Sequence, residues 1–160
     1  MGQAARSGFE RFRHVKVDEE HSRVRHLRRF GPPVLLLSVL PLAGASSLML
    51  ALAASGLNGQ SFAFVGYLPQ EAAARLARIK ELQLQSRRGN QTQLLIETPY
   101  RNAAMLGALV SALGDETWLS VSCGLSLPDG WTRTDRVRQW RTRSVSMPDR
   151  VPAVFSFLAG

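Results

Sequence analysis

Hydrophobic and polar positions alternate between two periods along most of this chain, and those periods predict its elements. Val34 to Leu42 is an apolar run of strand length. Small residues follow (Ala43-Gly44-Ala45-Ser46-Ser47), then a short apolar segment, Leu48 to Ala54, that reads as a buried helix stopped at Ser55-Gly56. After Asn58-Gly59, Phe62 to Leu68 is a second strand closed by Pro69. Gln70 to about Gln85 is predicted helical, with Leu76, Ile79 and Leu82 or Gln83 on one stripe and Glu71 spaced to pair with Arg75. Thr92 to Glu97 is a strand ended by Thr98-Pro99. From Asn102 a helix turns Met105, Leu106, Leu109, Val110 and Leu113 inward and stops at Gly114. Leu119 to Leu125 alternates as a half-buried strand, Thr134 to Arg143 reads as a short basic helix, and Pro152 to Leu158 is a last strand. Strands separated by helices imply an α/β sheet with helices on its faces, and ligands enter such sheets at turns beyond the strand ends.

Residues 1–33 break this pattern. They hold eight basic and four acidic residues and no sustained period, and Gly31-Pro32-Pro33 separates them from the rest. A basic, poorly ordered arm is expected over 1–33 and a single domain over 34–160. The uncharged run from Gly31 to Phe64 is long enough to span a bilayer. Pro41, the small turn and Asn58-Gly59-Gln60 nevertheless divide it into strand- and helix-sized pieces. The leader is too long and too acidic for a cleavable signal peptide, so a cytoplasmic location without membrane insertion is expected.

Charge and chemistry narrow the picture further. Twenty basic residues against twelve acidic give a net charge of +8. Eighteen of the twenty are Arg, which suits phosphate and favours polyanionic partners such as RNA. The single cysteine, Cys123, excludes an internal disulfide and sits in an apolar run where an inert thiol is expected. All three histidines lie in the first 26 residues, so no metal centre is expected in the domain.

Four stretches then fall in a specific order: Pro41-Leu42-Ala43-Gly44-Ala45-Ser46-Ser47, Ala54-Ser55-Gly56-Leu57, Phe62-Ala63-Phe64-Val65-Gly66-Tyr67-Leu68-Pro69, and Glu97-Thr98-Pro99-Tyr100-Arg101. Together they resemble the tetrapyrrole methylase family of S-adenosylmethionine-dependent methyltransferases, nearest the branch that methylates a cytidine ribose of small-subunit ribosomal RNA. That branch carries a P-x-x-G-P-S-A turn, an A-x-S-G-L helix end, an F-x-F-x-G-F-L-P strand and an E-A-P-x-R segment. The likeness covers about residues 38–160. It implies a mixed sheet flanked by helices, the C-terminal domain of a two-domain fold, with S-adenosylmethionine bound between the domains of a homodimer. By the same likeness Gly44, Ser46 and Ser47 would touch the methyl donor. Ile96, Cys123 and Ala153 would line its adenosine pocket, and Tyr100 and Arg101 would serve the substrate. The resemblance assigns no general base. Ala45 stands where the family turn has proline, and 1–33 do not match the family's first domain, so a chain short of half the cleft is expected. Two other classes also fit the residues: a non-catalytic basic module that binds RNA, and a membrane-anchored protein.

Overall fold

The computed structural model describes Gly44, residues 46–143 and residues 145–160, all within the second of two units into which the chain divides, Leu42–Gly160. The expected arm over 1–33, its boundary at 34 and the strand over Val34–Leu42 lie outside the described residues.

The order is α1 (Ser47–Ser55), β1 (Phe62–Gly66), α2 (Ala72–Gly89), β2 (Thr92–Glu97), a 3₁₀ turn (Pro99–Arg101), α3 (Asn102–Ala112), β3 (Trp118–Cys123), β4 (Trp131–Arg136), α4 (Val137–Thr142) and β5 (Ala153–Leu158). The strands form one mixed sheet in the order β1-β2-β5-β3-β4. β1 and β2 run parallel across the α2 crossover, and the other pairings are antiparallel. The sequence expectation of a mixed α/β sheet flanked by helices holds.

Strand alternation assigns the two faces. Leu95, Leu119, Val121, Cys123, Ala153, Phe155 and Phe157 point one way and meet Ile79 and Leu82 of α2 and Met105, Leu106 and Leu109 of α3. This is the main core. Truncating Phe155 or Phe157, both fully buried, costs about 3–5 kcal/mol by loss of transfer energy and creation of a cavity. The opposite face carries hydroxyls: Thr134 Oγ1 lies 2.8 Å from Ser120 Oγ, and Ser122 Oγ 2.9 Å from Thr132 Oγ1. Helix α1 packs there against β3, β4 and β5. Thr134 Oγ1 donates to the carbonyl of Ser55 at its C-terminal end, and Gly56 terminates the helix in the left-handed region at φ 67°.

Two elements differ from the sequence expectation. Trp131–Arg136, of which residues 134–136 were expected to open a helix, forms β4 instead, and α4 is confined to Val137–Thr142. Every residue of β4 is half-buried, so no apolar alternation announces it. Its register against β3 is set by residues 124–130, where Gly124 N donates to Pro152 O, Leu127 N to Gly124 O, and Gly130 N to Leu127 O. A Cβ at Gly130 would collide with the Gly124 carbonyl, so only glycine closes this loop. Helix α2 runs one turn past Gln85 to Gly89 because Ser86, fully buried, accepts from Ala159 N at 2.9 Å and Asn90 takes the left-handed cap at φ 44°.

Glu71 does not pair with Arg75. It caps α2, its carboxylate accepting from Ala73 N (2.8 Å) and Ala74 N (2.6 Å), while Arg75 donates to Gln70 O. Those two N–H bonds, with a lesser contribution from the Arg75 charge, lower the Glu71 pKa.

Candidate functional site

The residues singled out by sequence gather at two places. The first is the N-terminus of α1. Ser46 is extended (φ −111°) and precedes the first helical turn, and its side chain makes no capping hydrogen bond. Its carbonyl accepts from Leu50 N, closing that turn at 3.0 Å. Gly44, Ser46 and Ser47 are all exposed, and nothing among the described residues lies within 4 Å of where a Gly44 side chain would begin. The turn therefore presents two hydroxyls and the first N–H groups of a nine-residue helix, open to a polar or anionic ligand group.

The second place is the end of the sheet where β2 and β3 finish and β5 starts. Glu97 pairs with Ala153, and Ala153 with Cys123, in one cross-strand row; Ile96 pairs with Val154, and Val154 with Ser122, in the next. Alternation splits these rows between faces. Cys123 (1% exposed) and Ala153 (4%) belong to the main core with α3, whereas Ile96 is half-buried on the face that carries α1. Ile96 and the α1 turn thus share a face, and the sheet separates both from Cys123 and Ala153. Burial raises the Cys123 thiol pKa, which keeps it protonated.

Beyond β2, Pro99 sets a single 3₁₀ turn that displays Tyr100 at 77% exposure, while Arg101 is half-buried. A buried polar latch missed by the sequence reading holds the turn. Glu97 Oε1 accepts from Thr98 N and Thr98 Oγ1, and its Oε2 lies 3.4 Å from Arg101 Nη2. Asn102, fully buried, donates through Nδ2 to Val151 O at 2.9 Å and so ties α3 to the segment entering β5. A carboxylate ending an apolar strand, four residues before an arginine, was the available signal. Asn102 gave none, because its polar side chain merely occupied a helix-start position.

On one face of the sheet, then, lie the hydroxyls and helix N–H groups of the α1 turn and the apolar Ile96. Cys123 and Ala153 lie behind the sheet, in the core. Among the described residues, no group of three or more His, Cys, Asp or Glu could hold a metal ion. None of the described helices is long and apolar enough to cross a membrane.

The chain is similar in sequence to ribosomal RNA small subunit methyltransferase I. The protein of that name from Mesorhizobium japonicum is 36% identical over 100 residues, 62% of this chain and 33% of the relative. Those from Micromonospora olivasterospora and Vibrio cholerae are 40% and 37% identical over 77 and 78 residues, covering 23% and 26% of their lengths. The alignments thus take in about a third or less of each of these relatives. No protein-family model matches the chain. Among solved structures, the methyltransferase CobJ covers 73% of this chain and 54% of its own at 12% identity and a TM-score of 0.48. Uroporphyrin-III-C-methyltransferase from Thermus thermophilus covers 72% and 48% at 20% identity and a TM-score of 0.41. Superpositions this loose transfer no residue role.

Proposed function

We propose that residues 34–160 are the C-terminal domain of an S-adenosylmethionine-dependent methyltransferase of the tetrapyrrole methylase type, acting on a ribose of small-subunit ribosomal RNA in the cytoplasm. The observation that carries this is the 36% identity over 100 residues to a ribosomal RNA small subunit methyltransferase. The exposed Ser46–Ser47 turn and half-buried Ile96 on one face support it, as residues free to meet a ligand. When bound, the sulfonium supplies an electrophilic methyl group. The chain's part is to hold the donor: Ser46, Ser47 and the α1 N–H groups toward its polar end, Ile96 toward its adenosine, with Gly44 leaving the backbone approachable. Cys123 and Ala153 shape the pocket floor from behind, and Tyr100 and Arg101 face the RNA. The enzyme acts as a homodimer, for which the exposed Met49, Leu50, Phe62 and Phe64 offer an apolar surface.

Ligand sites usually enclose most of the ligand. The described residues supply one wall, which alone encloses much less, and S-adenosylhomocysteine is expected to bind this chain with a dissociation constant above about 1 mM, or weaker than roughly 4 kcal/mol. Titrating it into the full chain while following backbone amide resonances checks this. Shifts confined to the Ser46–Ser47 turn and Ile96, saturating in the millimolar range, are expected. No response in these amides at saturation of solubility overturns the donor site, and submillimolar affinity overturns the single-wall geometry.

A further inference from the structure

The opposite end of the sheet carries a second concavity. Trp118 opens β3, and its neighbours across the ladder are Leu158 of β5 and Arg136 of β4, all on the face that carries α1. The Arg136 guanidinium lies 4.4 Å from the Trp118 ring centroid. The indole borders a cleft of about 380 Å³ whose other wall is the turn ending α1, from Ser55 to Asn58. The side chains of that wall are already engaged. Ser55 Oγ donates to Leu52 O and accepts from Leu57 N, and Asn58 Oδ1 accepts from Gln60 N and Ser61 N. What the cleft offers a ligand is therefore the indole of Trp118 beside Leu57 and Leu158, with the Arg136 guanidinium stacked over the ring.

That charge is in surplus. Arg136 and Arg138 both engage one carboxylate, that of Glu116. Arg87, exposed at the C-terminal end of α2 on the other face, donates through Nε to Gly160 O at 2.7 Å near the same end of the sheet. An aromatic surface beside guanidinium groups that outnumber their carboxylate partner two to one matches a stackable base joined to a phosphate.

We propose that the Trp118 cleft is a stacking subsite for a base of single-stranded RNA, with Arg136 and Arg138 taking the flanking phosphate. The proposal rests on the RNA-methyltransferase reading and gives that reading a grip on substrate away from the donor wall. Four residue steps along β3 separate Trp118 from Ser122, which lies on the same face in the cross-strand row of Ile96, about 14 Å at the usual strand rise. At the stacked rise of one strand this is about four nucleotides. The subsite would hold the RNA about that far from the Ile96 side of the donor wall.

The test is fluorescence anisotropy of labelled oligouridine on the full chain and on Trp118→Ala, Trp118→Phe and Arg138→Gln, each checked for folding by circular dichroism. Trp118→Ala is expected to weaken binding roughly 5- to 150-fold, and Trp118→Phe to recover most of the loss. Arg138→Gln, at an exposed position, is expected to reduce the slope of log K against log salt by about 0.7. Unchanged affinity in Trp118→Ala, or a folded Trp118→Phe as weak as the alanine variant, overturns the subsite. Uridine monophosphate binding as tightly as the oligomer overturns RNA as its ligand in favour of a free nucleotide. The S-adenosylhomocysteine titration on the same samples separates the two readings: intact donor shifts with unaltered RNA binding sink only the subsite, while absent donor shifts sink only the donor site.

Discussion

At the scale of single residues, Asn102 does more than its place in the sequence suggested. It is wholly buried, its Nδ2 satisfies the Val151 carbonyl, and its Oδ1 meets no partner among the described residues. Asn102→Ala removes the donor, strands that carbonyl and leaves a small void, so a loss of about 2 kcal/mol is expected in urea unfolding. A loss below about 0.5 kcal/mol would mean that the carbonyl finds another donor at once. Hydrophobic periodicity is silent about a polar side chain that faces inward. The same blindness shaped the candidate site. LSVSC shows alternation, but alternation does not say which face a ligand would meet. Cys123 and Ala153 turned out to sit in the α3 core, and Ile96 on the far face with α1. By contrast the Ser46–Ser47 turn was legible, because serine just ahead of a short apolar run is a favoured helix start.

At the scale of elements, capping chemistry decides what periodicity leaves open. Glu71 holds the first turn of α2 through two backbone N–H bonds, which lower its pKa from the ordinary 4.5. A depressed folded pKa means the carboxylate stabilises the fold at pH values above its unfolded pKa, and that this contribution disappears as pH falls through the folded value. Glu71→Ala should therefore melt below the native chain at about pH 7, and the gap should close well below pH 4.5. Thermal midpoints of both chains across that range measure it, and a gap independent of pH would show that the cap acts without its charge. Strand β4 teaches the complementary lesson. Arg133 and Asp135 pair at 2.6 Å on one face while Thr132 and Thr134 bond β3 hydroxyls on the other. Polar residues on both sides read as a solvated helix until the hairpin partner is known. Edge strands stabilised by hydroxyls and ion pairs leave no apolar period to find.

At the scale of the whole molecule, the apolar surface left outside the core is the feature that most needs a partner. Phe62 and Phe64 alternate onto the same face of the edge strand β1, exposed at 39% and 48%, and Met49 and Leu50 on α1 are exposed at 51% and 46%. Burying a comparable set across a two-fold axis would set each residue against its symmetry-related patch, which a homodimer requires. A charge placed in such a patch faces its own copy as well as losing apolar burial. Phe64→Glu should for that reason weaken self-association by about 2 kcal/mol or more, roughly thirtyfold, if Phe64 lies near the centre. Light scattering coupled to size exclusion reads the outcome directly. A native chain that stays monomeric at high concentration would remove the homodimer reading for this chain, while a native dimer indifferent to Phe64→Glu would move the interface away from β1. Because Phe64 lies outside the core cluster, the substitution can separate association from folding: circular dichroism should match the native chain even where the dimer is lost.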